Sequence, residues 1–194
     1  MTLDAAMLKR LAASTPFQAK TAGRHPAEVT VDSLPFYTRF NWVRILVFLP
    51  QRPLVLSYAD DGSRMFFLGG APDDVLRVNR EEALRLEAGA VAPYVRFFLA
   101  ATQAKSRALA EQPADVPWLR ATESDEVLRA VRQTASTKLH PLEVSADGDT
   151  YRVLATVVQE TRLTELSLDV ARDGQVTVAG STVLVEDLPV SLLI

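Results

Sequence analysis

Two histidines, His25 and His140, are the side chains here whose ordinary pKa lies nearest neutrality, and each is followed by a proline. An imidazole can carry a proton at neutral pH, so His140 is the first candidate for a general acid or base. Metal chemistry has less to draw on: two separated His without any Cys give no thiolate zinc site, thiol nucleophile or CxxC redox pair. No metal and no cofactor is expected.

Stretches that resemble catalytic loops fail in their details. "RMFFLGGAPDDV" (64–75) contains Gly69-Gly70, yet it has no Walker lysine and no GxGxxG opening a helix inside a βαβ unit. Asp73 and Asp74 would also place negative charge where a phosphate should sit, so the loop reads as a strand exit. "SADGDTYRV" lacks the ligand order of a calcium loop and reads as a turn. No GxSxG elbow occurs, and "AGSTV" lies in a strand pattern. The acid pairs Asp60-Asp61, Asp73-Asp74 and Glu81-Glu82 fall at turns or a helix start, where local backbone bonding accounts for them.

Aromatic residues offer a binding alternative. Trp42, Phe66, Tyr94, Phe98 and Trp118 fall in neighbouring structural units and are the candidates to line a cavity for a small apolar ligand, between a helix at 91–104 and a sheet. The competing reading makes them ordinary core.

The elements that must position these groups follow from periodicity. Leu3, Met7, Leu8 and Leu11 mark a short amphipathic helix, and residues 14–36, with three prolines and no sustained period, read as an extended arm with an edge strand at 28–31. "NWVRILVFL" (41–49) has apolar residues on both parities and reads as a strand covered on both faces. Two apolar runs around Asp60-Asp61-Gly62 make a hairpin. Asn79 reads as a helix cap, followed by a short turn at 80–86 and a main helix from about Val91 that is buried on more than one side. Thr122 to Asp125 resemble a capping box, with Val127, Leu128 and Val131 as the buried face of the next helix and Arg129 and Arg132 facing water.

The last 55 residues read as an antiparallel meander punctuated by Asp147-Gly148 and Asp173-Gly174. Glu165, Ser167 and Asp169 alternate with Leu166, Leu168 and Val170, so one face of that strand is wet, and a phase slip at Gly180 predicts a β-bulge. The fold class is therefore α+β: antiparallel sheet with a C-terminal four-strand meander packed against two to three helices, plus an N-terminal helix and arm. A single cone of the cystatin or NTF2 type is the alternative. In domain terms, residues 1–35 are the helix and arm, and 36–194 form one α+β domain with sub-units 36–112 and 113–194.

Bulk numbers narrow the classes. At 194 residues, 48% hydrophobic and 23% charged, the chain matches a globular protein able to fold without a staple. Residues 1–44 hold six Lys/Arg against three Asp/Glu, the rest fifteen against twenty-one, and the basic residues are scattered singly, which argues against nucleic acid. Asp4, Lys9 and Arg10 interrupt the N-terminal apolar pattern, so no cleaved signal is expected. The longest mostly apolar window includes Pro93 and Arg96 and is too short for a membrane span, so a cytoplasmic protein without membrane association is expected.

"VNREEALRLEAGAVAPYVRFF", then "VPWL", then "DGDTYRVLATVV" resembles a group of bacterial proteins of unknown function, over about residues 36–185. The resemblance carries no catalytic motif and implies no site residues. The functional expectation is a non-catalytic module that binds a ligand or a protein, as a homo-oligomer or with a protein partner. A small-molecule enzyme of hydrolase or isomerase type, with His140 as proton carrier, is the alternative.

Overall fold

Asp4 starts the first helix, its carboxylate accepting the Met7 N–H at 2.7 Å. The computed structural model describes residues 3–103, 108–120 and 125–191, and the chain divides into two compact units, Met1–Leu84 and Arg85–Ile194. Helix α1 (Ala5–Ser14) turns Met7 and Leu11 inward. It stops before Pro16, because proline disfavours helical geometry in the residue ahead of it. Pro16 then opens helix α2 (Pro16–Ala22) at a position where its missing N–H is not needed. The stretch expected to be an arm thus contains a second helix, and its edge strand β1 runs longer than 28–31, over Ala27–Ser33.

Strands β2 (Asn41–Val47), β3 (Leu54–Asp60) and β4 (Met65–Phe67) follow, and the four form an antiparallel sheet in the order β1-β2-β3-β4. Directly opposed residues share a face. Val29, Val43, Ile45, Val47, Leu56, Tyr58 and Met65 therefore lie together, and they pack with Met7, Leu11, Ala19 and Ala22 into one buried cluster. Two polar contacts fix the helices on this face: Arg10 binds both oxygens of Asp60 at 2.9 and 3.2 Å, and the Thr15 and Tyr58 hydroxyls meet at 2.6 Å.

The other face corrects the expectation for β2. Arg44 is exposed and Trp42 and Leu46 are only half-buried, so the strand is fully covered on one side alone. Cover on the second side is concentrated at the β4 end, where Phe40 meets Phe66 edge-on at 5.5 Å and Arg77 lies over the Phe66 ring.

The expected hairpin is present. Gly62 takes a positive φ of 85° in its turn. Burial pushes the Asp61 carboxyl up, but the Ser63 hydroxyl, the Arg64 and Ser63 N–H groups and the Arg64 charge outweigh it and hold Asp61 at about 2. Gly69 serves close packing after β4: a Cβ there would lie 2.9 Å from Phe67 and 3.1 Å from Asp74. Asp74 accepts the Gly69 N–H at 2.8 Å, filling with its own carboxylate the donor that a phosphate would seek.

Helix α3 starts earlier than expected. It runs Pro72–Glu82, with Pro72 in the first turn, Asp73 and Asp74 beside the N-terminus, and Ala83 in left-handed geometry at its end. Asn79 is buried inside it rather than capping it, and its side-chain oxygen accepts the Tyr37 hydroxyl.

The C-terminal unit begins with helix α4 (Ala88–Gln103), one turn ahead of the expected start, so Pro93 falls inside the helix. Val91, Tyr94, Val95, Phe97, Phe98 and Leu99 are all buried, confirming burial on more than one side. Strand β5 (Ala108–Leu109), helix α5 (Glu126–Ser136) and strands β6 (Glu143–Asp147), β7 (Thr150–Gln159), β8 (Arg162–Ala171) and β9 (Val176–Val185) complete the described elements with a short 3-10 turn at Pro113–Asp115. β6 to β9 form the expected meander, and β5 joins β7 on the edge it shares with β6. Two antiparallel sheets replace the single cone considered as an alternative.

The bulge expected at Gly180 falls one residue earlier. Ser167 pairs with Gly180 and Leu168 with Val178, which leaves Ala179 as the extra residue, and a second slip leaves out Leu184. In α5 the cap is Asp125, which accepts from Val127 and Leu128; Thr122 lies outside the described residues. Val127 is 71% exposed, contrary to expectation. The helix instead meets the sheet through its C-terminal half, where Ala135 and Val131 join Val158, Leu163 and Leu188 in a second buried cluster.

Candidate functional site

His140 lies in the connector between α5 and β6. Its Nδ1 is 2.9 Å from the Pro141 carbonyl oxygen, which can only accept, so Nδ1 carries a proton. Nε2 faces two groups on adjacent strands: Glu165 Oε2 of β8 at 3.3 Å and Thr156 Oγ1 of β7 at 3.2 Å. Thr156 and Glu165 are directly opposed across the ladder, which is why both reach the same nitrogen. Glu143 of β6 stands 3.8 Å from Nδ1. The Pro141 carbonyl is the largest influence on the ring, partial burial opposes it, and Glu165 and Glu143 add to it; together they raise the pKa of His140.

The connector has a second anchor. The Leu142 N–H donates to Glu111 Oε1 at 2.9 Å, and Glu111 is gripped by Arg96 of α4 through two bonds of 2.7 Å. Arg96 holds the Glu111 carboxyl below its usual range, burial opposing.

A hydroxyl, an imidazole and a carboxylate are the parts of a hydrolytic triad, but their arrangement here differs. In a triad the carboxylate orients one ring nitrogen and the hydroxyl meets the other. Here both compete for Nε2, and Thr156 is fully buried, so its oxygen is closed to a substrate. Binding and release of a proton is the chemistry this geometry supports. Among the described residues, no group of three or more His, Cys, Asp or Glu is placed to hold a metal ion. His25 falls in the bend ahead of β1.

The aromatic candidates separate into three environments. Tyr94 and Phe98 come together in the core of the C-terminal unit, 6.1 Å between ring centres, and the Tyr94 hydroxyl donates to the Gly174 carbonyl at 2.6 Å. Trp118 joins the cluster around α5, donating its indole N–H to the Pro113 carbonyl at 2.9 Å under the Arg132 guanidinium. In the N-terminal unit, Phe66 packs against Phe40 while Arg64 and Arg77 lie over its ring. Trp42 donates to Ser57 Oγ at 2.7 Å beneath Arg44, whose guanidinium is 4.4 Å from the ring.

Trp42 belongs to a surface that sequence reasoning missed. Trp42, Arg44 and Leu46 share the less-covered face of β2; Val55 is directly opposite Leu46, and Phe48 continues the same parity, its N–H donating to the Pro26 carbonyl. Val55 is 63% exposed and Phe48 41%. Asp32 of β1 completes the strip, 2.8 Å from Arg44. The signal was the lone arginine in "NWVRILVFL", which marks its own parity as the wet one.

No protein-family model, curated protein or solved structure matches this chain.

Proposed function

We propose that this protein is a non-catalytic interaction module, and that a second copy of the chain docks on the open face of its N-terminal sheet. The observation that carries this reading is the exposure of Val55 and Phe48 beside half-buried Leu46 and Trp42 on one flat face. Burial of such a strip is worth roughly 25 cal/mol per Å² of apolar area. Contiguous exposed apolar surface on a globular chain marks a contact.

The charges select the occupant. Arg44 sits between Trp42 and Leu46, paired with Asp32 of β1, and exposed Glu28 lies opposite Leu46, so the face carries both signs, two of them within 2.8 Å. A surface of that kind complements itself: a two-fold axis through it turns the partner's Asp32 toward Arg44, as an isologous interface requires. Among the described residues no helix is long and apolar enough to cross a membrane, and a Cys-free chain needs no oxidising compartment. The reading therefore carries a cytoplasmic assembly with it.

Light scattering and native mass spectrometry on protein purified without denaturation test the proposal together. A ligand-free dimer that dissociates on dilution supports it. A monomer at every concentration, or a monomer carrying a co-purified small molecule, overturns it.

A further inference from the structure

The His140 cluster belongs to the C-terminal unit and not to the sheet of the proposed docking face, and its geometry depends on one proton. We propose that His140 is a pH-sensitive latch that adds a charge-assisted bond from the 137–142 connector to Glu165 of the C-terminal sheet when the imidazole is protonated and loses that bond when the proton leaves.

The argument starts from the hydrogen-bond inventory. With Nδ1–H committed to the Pro141 carbonyl, a neutral ring presents a bare lone pair at Nε2. That lone pair can accept from the Thr156 hydroxyl, but toward Glu165 it meets only the lone pairs of a carboxylate 3.3 Å away. Adding a proton reverses the second contact: Nε2–H donates to Glu165, and the connector gains a charge-assisted bond to β8. The charged groups around the ring are Glu165 from β8 and Glu143 from β6. The remaining partners, Thr156 of β7 and the Pro141 carbonyl of the connector, are neutral; of the cations, Arg96 is engaged by Glu111, and Lys138 of the connector is exposed. Among the described residues, the groups in contact with the imidazolium carry no positive charge. The ring's side chain keeps 26% of its surface in solvent, enough to exchange its proton freely.

The connector has other anchors that do not titrate near neutrality: the Lys138 N–H donates to the Ala135 carbonyl at 2.9 Å, Leu139 packs against the cluster around α5, and the Leu142 N–H donates to Glu111, whose carboxyl Arg96 keeps ionised. Loss of the Glu165 bond therefore loosens the residues around His140 while the Lys138 and Leu142 ends stay tied. The pH direction is fixed by the raised pKa of His140. The contact is complete below the ordinary histidine value of about 6.5 and is lost as pH rises through the higher folded value.

Because the chain has only two His, proton and nitrogen NMR of the rings gives two assignable titrations, with H25Q and H140Q identifying each. The His140 resonance titrates above about 6.5. Glu165→Gln, which keeps the shape and removes the charge, moves it down. Hydrogen exchange of the Leu139 and His140 amides, corrected for intrinsic rates, is about tenfold less protected at about pH 8 than at about pH 6, the worth of one charge-assisted bond. Titration at or below about 6.5, a titration that E165Q leaves unmoved, or equal protection at both pH values overturns the latch.

Discussion

Both sheets of this molecule have one buried apolar face and one face that is only partly covered, and they finish the second face differently. In the C-terminal sheet the cover is α5 at one end, and the rest is mainly polar around half-buried Leu154: Arg152 lies directly opposite Asp169 with 2.7 Å between charged atoms, and Glu165 opposes Thr156 under His140. In the N-terminal sheet the corresponding area holds Val55, Phe48 and Leu46 beside one ion pair, Arg44 with Asp32. Cross-strand ion pairs let a sheet face rest against water, whereas branched and aromatic side chains on such a face gain free energy only when something covers them. This difference is the ground for proposing docking on the N-terminal sheet and titration on the C-terminal one.

The largest expected effect tests the buried side of this contrast. Leu168 of β8 is 1% exposed, and Leu168→Ala lowers unfolding free energy in urea by about 2–5 kcal/mol, through lost transfer energy and a residual cavity. A loss below about 1 kcal/mol would mean that this face is not close-packed. Asp61→Ala comes next: it removes the carboxylate that accepts from Ser63 and Arg64 in the hairpin turn, and costs about 1–3 kcal/mol near neutral pH. Since folding holds Asp61 at about 2, below its unfolded value, its contribution is complete above the unfolded value and disappears as pH falls toward 2. Thermal melts of wild type and Asp61→Ala should therefore converge in acid, and parallel curves would count against the turn.

Smaller effects probe the open faces. Arg152→Val breaks an exposed ion pair worth about 0–1 kcal/mol, so the melting curve barely moves. The same change makes the polar face more apolar, and it should increase concentration-dependent association over that of wild type; a variant that stays as soluble and as dispersed would weaken the contrast. Least visible in stability is Val55→Lys, expected within about 0.5 kcal/mol because the side chain is already in water.

What could be read from sequence followed the strength of local rules. The Asp60-Asp61-Gly62 hairpin, the meander and the Gly180 slip rest on turn chemistry and a period of two, and all three are present, the slip displaced to Ala179. Helix α2 was missed because Pro16 read as a breaker, although at a first-turn position it costs nothing. Helix α3 was started late because Asn79 looks like a cap; its burial against Tyr37 is a tertiary fact that no local window contains. The site shows the same limit. His140 stood out as a titratable residue, and Glu165 was assigned to the wet face of its strand, but the ladder register that sets Glu165 beside Thr156 under the ring is long-range. Val55 escaped notice because an apolar strand residue looks alike whether its face is closed or open.

The account depends most on the claim that the N-terminal open face binds a second copy. Sedimentation equilibrium of wild type and Val55→Lys across the micromolar range, with circular dichroism confirming an unchanged fold, tests it most directly. The account predicts a reversible wild-type dimer and a variant whose dimerisation is at least about tenfold weaker, the consequence of forcing an ammonium into an apolar contact. A wild type that is monomeric throughout, or a dimer that Val55→Lys leaves intact, would contradict it.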